Sequence, residues 1–185
     1  MENIVENIVG WIKGLGAFGI VAQIVGFVGL TLYVITFQFK EYKKLIFFKT
    51  TSEAIFGVHY LMLGAVTGGF SNFVGATRNV IFAILVSKKK STLPAQIVFA
   101  VIFVIIGILT WQGPLSLLVI TAKMITTAAY GISNSKTIRR LALPVSLCWI
   151  IYNGISRSIG GVIAEIFGIT SVITAMIRLD MKKKD

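Results

Sequence analysis

The sequence has few charged residues and almost none of the residue types that build disulfides or zinc centres. Only 14% of its 185 residues are charged and 56% are hydrophobic, so a soluble domain of this composition would have too little polar surface to stay in solution. Cys148 is the only cysteine and His59 the only histidine, which excludes an internal disulfide and a cysteine–histidine zinc site within one chain. No catalytic triad or paired-carboxylate motif stands out either. We therefore expect no enzyme, no metal and no cofactor.

Acidic residues are also scarce: the sequence has seven Asp and Glu but 18 Lys and Arg, which gives a formal net charge of +11. The basic residues form short clusters between long apolar runs, which membrane topology explains and which argues against a nucleic-acid partner. The lipid bilayer is the expected partner, with lysine clusters near anionic head groups. Residues 1–16 carry Glu2 and Glu6 where a signal peptide would be basic, so we expect no cleavage there.

Seven long apolar runs have the length that transmembrane helices need. A spanning helix takes about 20 apolar residues to cross about 30 Å of hydrocarbon, and these runs lack the alternation of strands. Cutting the chain at polar, glycine and proline positions predicts spans at 18–38, 45–65, 69–86, 94–111, 114–132, 141–156 and 160–179. Pro94 and Pro114 suit the first turns of two helices, and Pro144 predicts a kink in the sixth. Residues 1–13 are amphipathic and predict a short helix on the membrane surface.

Positive charge is concentrated at alternate ends of the predicted spans. One side receives four basic groups: Lys40, Lys43, Lys44 and Lys49; Lys88, Lys89 and Lys90; Lys136, Arg139 and Arg140; and Arg178, Lys182, Lys183 and Lys184. The other side receives only Lys13 and Arg157. The positive-inside rule then predicts an external N-terminus and a cytoplasmic C-terminus, which requires an odd number of spans.

An internal repeat divides the chain. Residues 40–45 are echoed by 136–141, residues 59–64 by 149–154, and Gly68-Gly69 by Gly160-Gly161. The predicted fold is an all-α polytopic membrane bundle of two parallel three-helix repeats joined by a linker helix, with a site between the halves. The predicted divisions are a surface segment at 1–16, a first repeat at 17–90, a linker at 91–112, a second repeat at 113–181 and a basic tail at 182–185.

The motifs of the two repeats resemble those of known families. They are His59-Tyr-Leu-Met-Leu-Gly64 with Gly75-Ala-Thr-Arg78-Asn79, and Trp149-Ile-Ile-Tyr152-Asn153-Gly154 with Gly160-Gly161-Val-Ile-Ala-Glu165. The three-one-three plan resembles the SWEET and PQ-loop sugar and amino-acid transporters. The closer resemblance, over residues 18–180, is to the YgjV-type bacterial inner membrane proteins, which implies the bacterial cytoplasmic (inner) membrane. The proline–glutamine pair that names the PQ-loop group is absent, since Phe37-Gln38 and Ser133-Asn134 stand near its expected places.

The resemblance to SWEET proteins also implies residues of a transport path. Matched second helices would contribute His59 and Trp149, and matched third helices would contribute Asn72 and Glu165. The alternative interpretation of His59 and Trp149 is that they only pack helices together.

Ionisable residues inside the predicted spans are few, and each must be paired, hydrated or functional. They are Glu53, His59, Arg78, Lys123 and Glu165. At 1.5 Å per residue, Arg78 and Lys123 lie about 14 Å below the outer surface, and Glu53 lies about 12 Å above the inner one. Lys49 lies one turn inside its span, and we expect it to snorkel to the inner surface.

Two pairings of these charges are open. Glu53 and Arg78, on adjacent helices, could form a structural ion pair that fixes packing. Lys123 has only Glu165 as an acid in its own repeat, so it deprotonates, reaches across the repeat interface or holds an anionic ligand.

Two functions fit this sequence. The first is a small transporter that moves a polar or anionic solute by alternating access between the repeats. Arg78 and Lys123 would then join His59, Asn72, Trp149 and Glu165 as the six residues of the solute pathway. The second is a non-transporting accessory or scaffold protein whose intramembrane charges only hold helices together. A homo-oligomer is compatible with either function.

Overall fold

Seven helices and no strand make up residues 16–181, the part of the chain that the computed structural model describes. They are α1 (Gly16–Thr36), α2 (Tyr42–Met62), α3 (Val66–Ser87), α4 (Leu93–Leu109), α5 (Leu115–Gly131), α6 (Ser135–Ile155) and α7 (Ile159–Ala175). A π-helical turn, Met176–Asp180, continues α7. The prediction of an all-helical chain with seven helices is confirmed. The predicted surface helix at 1–13 and the basic tail at 182–185 lie outside the described residues.

Local sequence explains most of the helix ends. Pro94 falls in the first turn of α4, where its missing N–H costs no hydrogen bond, and Pro114 is the N-cap residue of α5. Helix α6 begins six residues before its predicted start, because the side chain of Asn134 accepts hydrogen bonds from the N–H groups of Lys136 at 2.9 Å and Thr137 at 3.3 Å. Pro144 therefore lies well inside α6 instead of one turn from its start.

Three helices are clearly long and apolar enough to cross a membrane: α1, α3, and α7 with its π-helical turn. Helices α4 and α5 are apolar but shorter. Large apolar side chains project outward, and Phe18, Ile97 and Leu109 are each more than half exposed. Such an outer surface is expected of helices that face lipid.

Six of the seven helices form a ring. Helix α2 packs against α1 and α3, α6 packs against α5 and α7, and the ring is completed by contacts of α3 with α5 and of α7 with α1. Helix α4 lies outside the ring, against α3 and α5. Glycines allow close approach, since Gly29 lies against the Phe56 ring and Gly57 against the Phe73 ring.

The interior of the ring is unusually polar. Its fully or nearly buried side chains include Glu53, Arg78, Lys123 and Glu165. Because charges are costly to expose to hydrocarbon, such residues face the bundle interior and find partners there. The centre of the ring is therefore the place to look for function.

Candidate functional site

Glu53 of α2 lies among three cations. Its carboxylate oxygens are 3.5 Å from Nζ of Lys123, 3.7 Å from Nη2 of Arg78 and 3.8 Å from Nζ of Lys49. The side chains of Glu53, Arg78 and Lys123 are at most 4% exposed. Each distance exceeds the approximately 2.7–2.9 Å of a tight charge-assisted hydrogen bond. One carboxylate thus balances three formal positive charges at loose ion-pair distances.

Lys49 belongs to this cluster, and the prediction that it snorkels to the surface is wrong. Its side chain is 13% exposed, and its ammonium lies 4.3 Å from the centre of the Tyr33 ring. Glu53, one turn later on the same helix, and the face of Tyr33 together offer the ammonium a binding place inside the bundle. The predicted pair of Glu53 and Arg78 lies within ion-pair distance, but as part of a larger cluster.

The guanidinium of Arg78 is completely buried and fully engaged. It lies between the rings of Phe103 and Tyr130, whose centres are 5.5 and 5.0 Å from Cζ. Its N–H groups donate to the side-chain oxygens of Thr126 at 3.2 Å, Thr127 at 2.9 Å and Asn79 at 2.9 and 3.2 Å. Arg78 is therefore held in place by α3, α4 and α5.

A small cavity lined partly by polar side chains lies at the centre of the ring, beside Lys123. Its volume is about 30 Å³, which is room for about two water molecules. All six helices of the ring contribute to its wall, and Asn72, Lys123, Trp149 and Glu165 are among the lining residues. The ammonium of Lys123 donates to Oδ1 of Asn72 at 3.2 Å and lies 5.5 Å from the Trp149 ring centre. The structure thus brings four of the six predicted pathway residues together, and Lys123 of α5 contacts Asn72 of α3.

Glu165 faces the same cavity without a cation. It accepts a hydrogen bond from the hydroxyl of Tyr33 at 3.0 Å, and that hydroxyl is also 3.4 Å from the hydroxyl of Ser146. None of the ion pairs formed within residues 16–181 includes Glu165. A carboxyl group that is 7% exposed and has only the hydroxyl groups of Tyr33 and Ser146 beside it is an unusual feature in a helical bundle.

Asn153 and Tyr60 complete the cavity wall. The hydroxyl of Tyr60 donates to Oδ1 of Asn153 at 2.6 Å, and the Tyr60 ring stacks on Trp149 with centres 5.7 Å apart. In the described part of the chain, Nδ2 of Asn153 has no hydrogen-bond partner, although the residue is 1% exposed. Asn153 could have been singled out as an amide within an apolar run, whereas a tyrosine in such a run gives no comparable signal.

His59 lies elsewhere, so the structure does not bring it to the cavity. Its Nδ1–H donates to the carbonyl of Ala22 at 2.7 Å, and Nε2 accepts from the hydroxyl of Ser158 at 2.8 Å. The carbonyl can only accept, which fixes this tautomer. The ring connects α1, α2 and the N-cap of α7. Residues 16–181 contain no group of His, Cys, Asp and Glu that could hold a metal ion.

Arg139 is buried near the C-terminal end of α7, although it belongs to a basic cluster in the sequence. Its guanidinium donates to both carboxylate oxygens of Asp180 and, at 3.3 Å, to the carbonyl of Phe39. These bonds connect α6, the π-helical turn and the loop after α1. This end of the ring is therefore held together by an ion pair.

Comparison with known proteins identifies the family. The model of the Imp-YgjV family, described as bacterial inner membrane protein, matches residues 20–183. The chain is 26% identical over 144 residues to the inner membrane protein YgjV of Escherichia coli (strain K12), covering 78% of this chain and 76% of that protein. No solved structure matches the chain. The resemblance to YgjV-type proteins is confirmed, whereas the one to SWEET and PQ-loop transporters stays a prediction. The chain therefore belongs to the Imp-YgjV family of bacterial inner membrane proteins.

Proposed function

We propose that this protein is a small transporter that moves a polar or anionic solute between two three-helix units, α1 to α3 and α5 to α7. The observation that carries the proposal is the buried polar cavity, to which every helix of both units contributes. Polar cavities between repeats, near the level of the bilayer midplane, are where transporters of this architecture bind solute. Lys123 and Asn72 supply hydrogen-bond donors and Glu165 an acceptor at its wall.

The order of helices in the ring supports a parallel repeat. The ring keeps the same set of contacts if α1, α2 and α3 exchange places with α5, α6 and α7, respectively. The contact of α3 with α5, for example, then becomes the contact of α7 with α1. Helix α4 is the linker that allows both units to have the same direction in the membrane.

Hydrogen bonds between the two units close the ring on both sides of the cavity. On one side, the hydroxyl of Tyr152 accepts from the N–H of Gly68 at 3.0 Å. On the other, the hydroxyl of Tyr42 donates to the carbonyl of Tyr130 at 3.0 Å. Alternating access would require each group of contacts to break in turn while the other holds. By the positive-inside rule, the proposed orientation places the Tyr42 side in the cytoplasm and the N-terminus outside.

The paired charges around Glu53 favour the second candidate function, an accessory or scaffold protein. In that case the cluster only holds α2, α3 and α5 together. Glu165 and Nδ2 of Asn153, which has no hydrogen-bond partner within residues 16–181, favour the transporter, because groups needed only for packing are usually satisfied within the bundle.

Access of water to the cavity distinguishes the two functions. In a Cys148→Ser background, Val145→Cys places a thiol at the cavity wall, and Val119→Cys is the matched control at a buried position of α5 away from it. Both valines are at most 5% exposed. A membrane-impermeant cationic methanethiosulfonate is applied to right-side-out and to inverted membrane vesicles.

We expect the thiol at position 145 to react from both faces and the thiol at position 119 from neither. Reaction at 145 from one face only would contradict alternating access. Reaction from neither face would mean a dry interior and would favour the accessory protein.

A further inference from the structure

The wall of the central cavity has an excess of basic side chains on one side and a single carboxyl group on the other. The cations clustered around Glu53 lie on α2, α3 and α5, whereas the lone carboxyl of Glu165 lies on α7. We infer that the solute is a small zwitterion, with an anionic and a cationic group a few bonds apart, as in an α-amino acid. The inference rests on the proposed transport function and names its substrate class.

The positive side has capacity for a second anion. Of the three formal cations that share the carboxylate of Glu53, Lys49 and Lys123 line the cavity, and their distances of 3.8 and 3.5 Å from that carboxylate leave both incompletely paired. Lys123 is the cation that faces the cavity with a short polar contact to Asn72. An ammonium has three N–H donors, so Lys123 can bind the anionic group of a solute while it keeps its contact with Glu53.

The negative side lacks a cation. Glu165 receives one phenol hydrogen bond from Tyr33, and a carboxylate can accept several. A solute ammonium at this position would supply the missing charge and further donors. The rings of Trp149 and Tyr60, which stack on each other, line the same space.

The amide of Asn153 is the second feature that points to a ligand. Its Nδ2 is buried at the cavity and, within residues 16–181, donates to nothing. An unsatisfied buried donor is costly unless a bound molecule accepts from it. The anionic group of a zwitterion, or its carbonyl-type oxygen, provides that acceptor.

Other classes of solute match this wall less well. A simple anion would pair with Lys123, but it would leave Glu165 unpaired and would repel it. A simple cation would pair with Glu165, but it would lie near the three cations around Glu53. A neutral polyol would compensate neither side. The cavity has room for only about two waters, so a solute enters by widening the ring.

Trp149 allows binding to be measured directly. The double substitution Trp11→Phe and Trp111→Phe leaves it as the single tryptophan of the chain. The purified full-length protein in detergent is titrated with glycine, L-alanine and L-glutamine as zwitterions, acetate and propionate as anions, methylamine as a cation, and glycerol and glucose as neutral solutes. The signal is a saturable change in Trp149 fluorescence, checked against thermal stabilisation by the same solute.

Two substitutions test the roles of the two sides, namely Glu165→Gln and Lys123→Met. Their controls are Glu41→Gln and Lys90→Met, which remove charges from exposed positions outside the cavity. Monodispersity in size-exclusion chromatography confirms folding, and Lys123→Arg retains the charge if Lys123→Met does not fold.

We expect at least one zwitterion to bind, with acetate, methylamine and glucose each about tenfold weaker or more, since a charge-assisted contact is worth at least that factor. Glu165→Gln should weaken zwitterion binding by about tenfold and leave acetate binding unchanged or stronger. The inference is overturned if no zwitterion binds, if acetate binds as tightly, or if Glu165→Gln has no effect. If only an anion or a sugar binds, the zwitterion inference is wrong but the proposed transport function still holds. If the thiol at position 145 reacts from neither face, the proposed transport function itself is wrong.

Discussion

The cluster around Glu53 makes an asymmetric prediction about stability. At separations near 4 Å, each attraction is worth about 4 kcal/mol at an effective dielectric constant of about 20. Glu53→Gln removes three such attractions and leaves three unpaired cations in the interior. Removing one lysine loses one attraction but also relieves its repulsion with the other two cations. Glu53→Gln should therefore be far more destabilising than Lys49→Met or Lys123→Met.

The expected loss for Glu53→Gln is about 3–5 kcal/mol, the cost of leaving buried charge uncompensated after desolvation is taken into account. For a chain of this size that corresponds to a fall in Tm of about 6–20 °C. Lys49→Met and Lys123→Met should stay within about 1 kcal/mol of the parent. The double substitution Glu53→Gln with Lys49→Met should recover part of the loss, because one of the unpaired cations is gone.

The assay is thermal unfolding in one detergent, followed by tryptophan fluorescence, with all variants measured at the same pH. If Glu53 and Arg78 formed an isolated pair, the double variant Glu53→Gln/Arg78→Gln should regain the full stability of the parent. The cluster predicts that this double variant regains only part of it. The reasoning fails if Glu53→Gln unfolds within about 2 °C of the parent, less than the shift expected for 1 kcal/mol, or if Lys123→Met is the more destabilising change.

Three further predictions concern other parts of the molecule. Gly75→Ala should destabilise the protein, because a Cβ at this position would meet the carboxylate of Glu53 and the ammonium of Lys123. Gly154→Ala is the control and should not destabilise it, because a Cβ there would have no atom within 4 Å; thermal unfolding measures both variants. Asp180→Asn should lower the free energy of unfolding by about 3 kcal/mol by leaving a buried guanidinium unpaired, and a Tm equal to the parent's would contradict this. In the Cys148→Ser background, a cysteine at Arg157 should react with an impermeant reagent outside the cell and one at Lys89 should not; the opposite pattern would invert the proposed orientation.

The helices themselves could be predicted from the sequence because their determinants are local. Apolar runs of sufficient length, interrupted by glycine, proline and lysine, give seven helices and most of their ends. The start of α6 was missed, because residues 135–140 are polar and charged and did not extend the apolar run. The cap formed by Asn134 is a local signal that would have corrected it.

The partners of the buried charges could not be predicted, because they depend on which faces of distant helices meet. Lys49 was expected at the surface, but the ring brings Tyr33 over it. Lys123 and Glu165 lie in the same predicted repeat and line the same cavity, yet the ion-pair partner of Lys123 is Glu53 of α2. His59 was expected on the pathway, and only the position of Ser158 shows that its ring is used elsewhere.

The position of Glu53 relative to its cations has a consequence for how the chain is assembled in the membrane during translation. Lys49 lies on the same helix at i−4, so α2 leaves the ribosome with a counter-ion of its own. Helices α3 and α5 each carry a single formal charge, Arg78 and Lys123, and bring no acid with them. Since the chain emerges from its N-terminus, we expect α2 to enter the bilayer before the two helices whose cations its carboxylate pairs with. The carboxylate of Glu53 would then serve as the assembly point at which both later helices are retained.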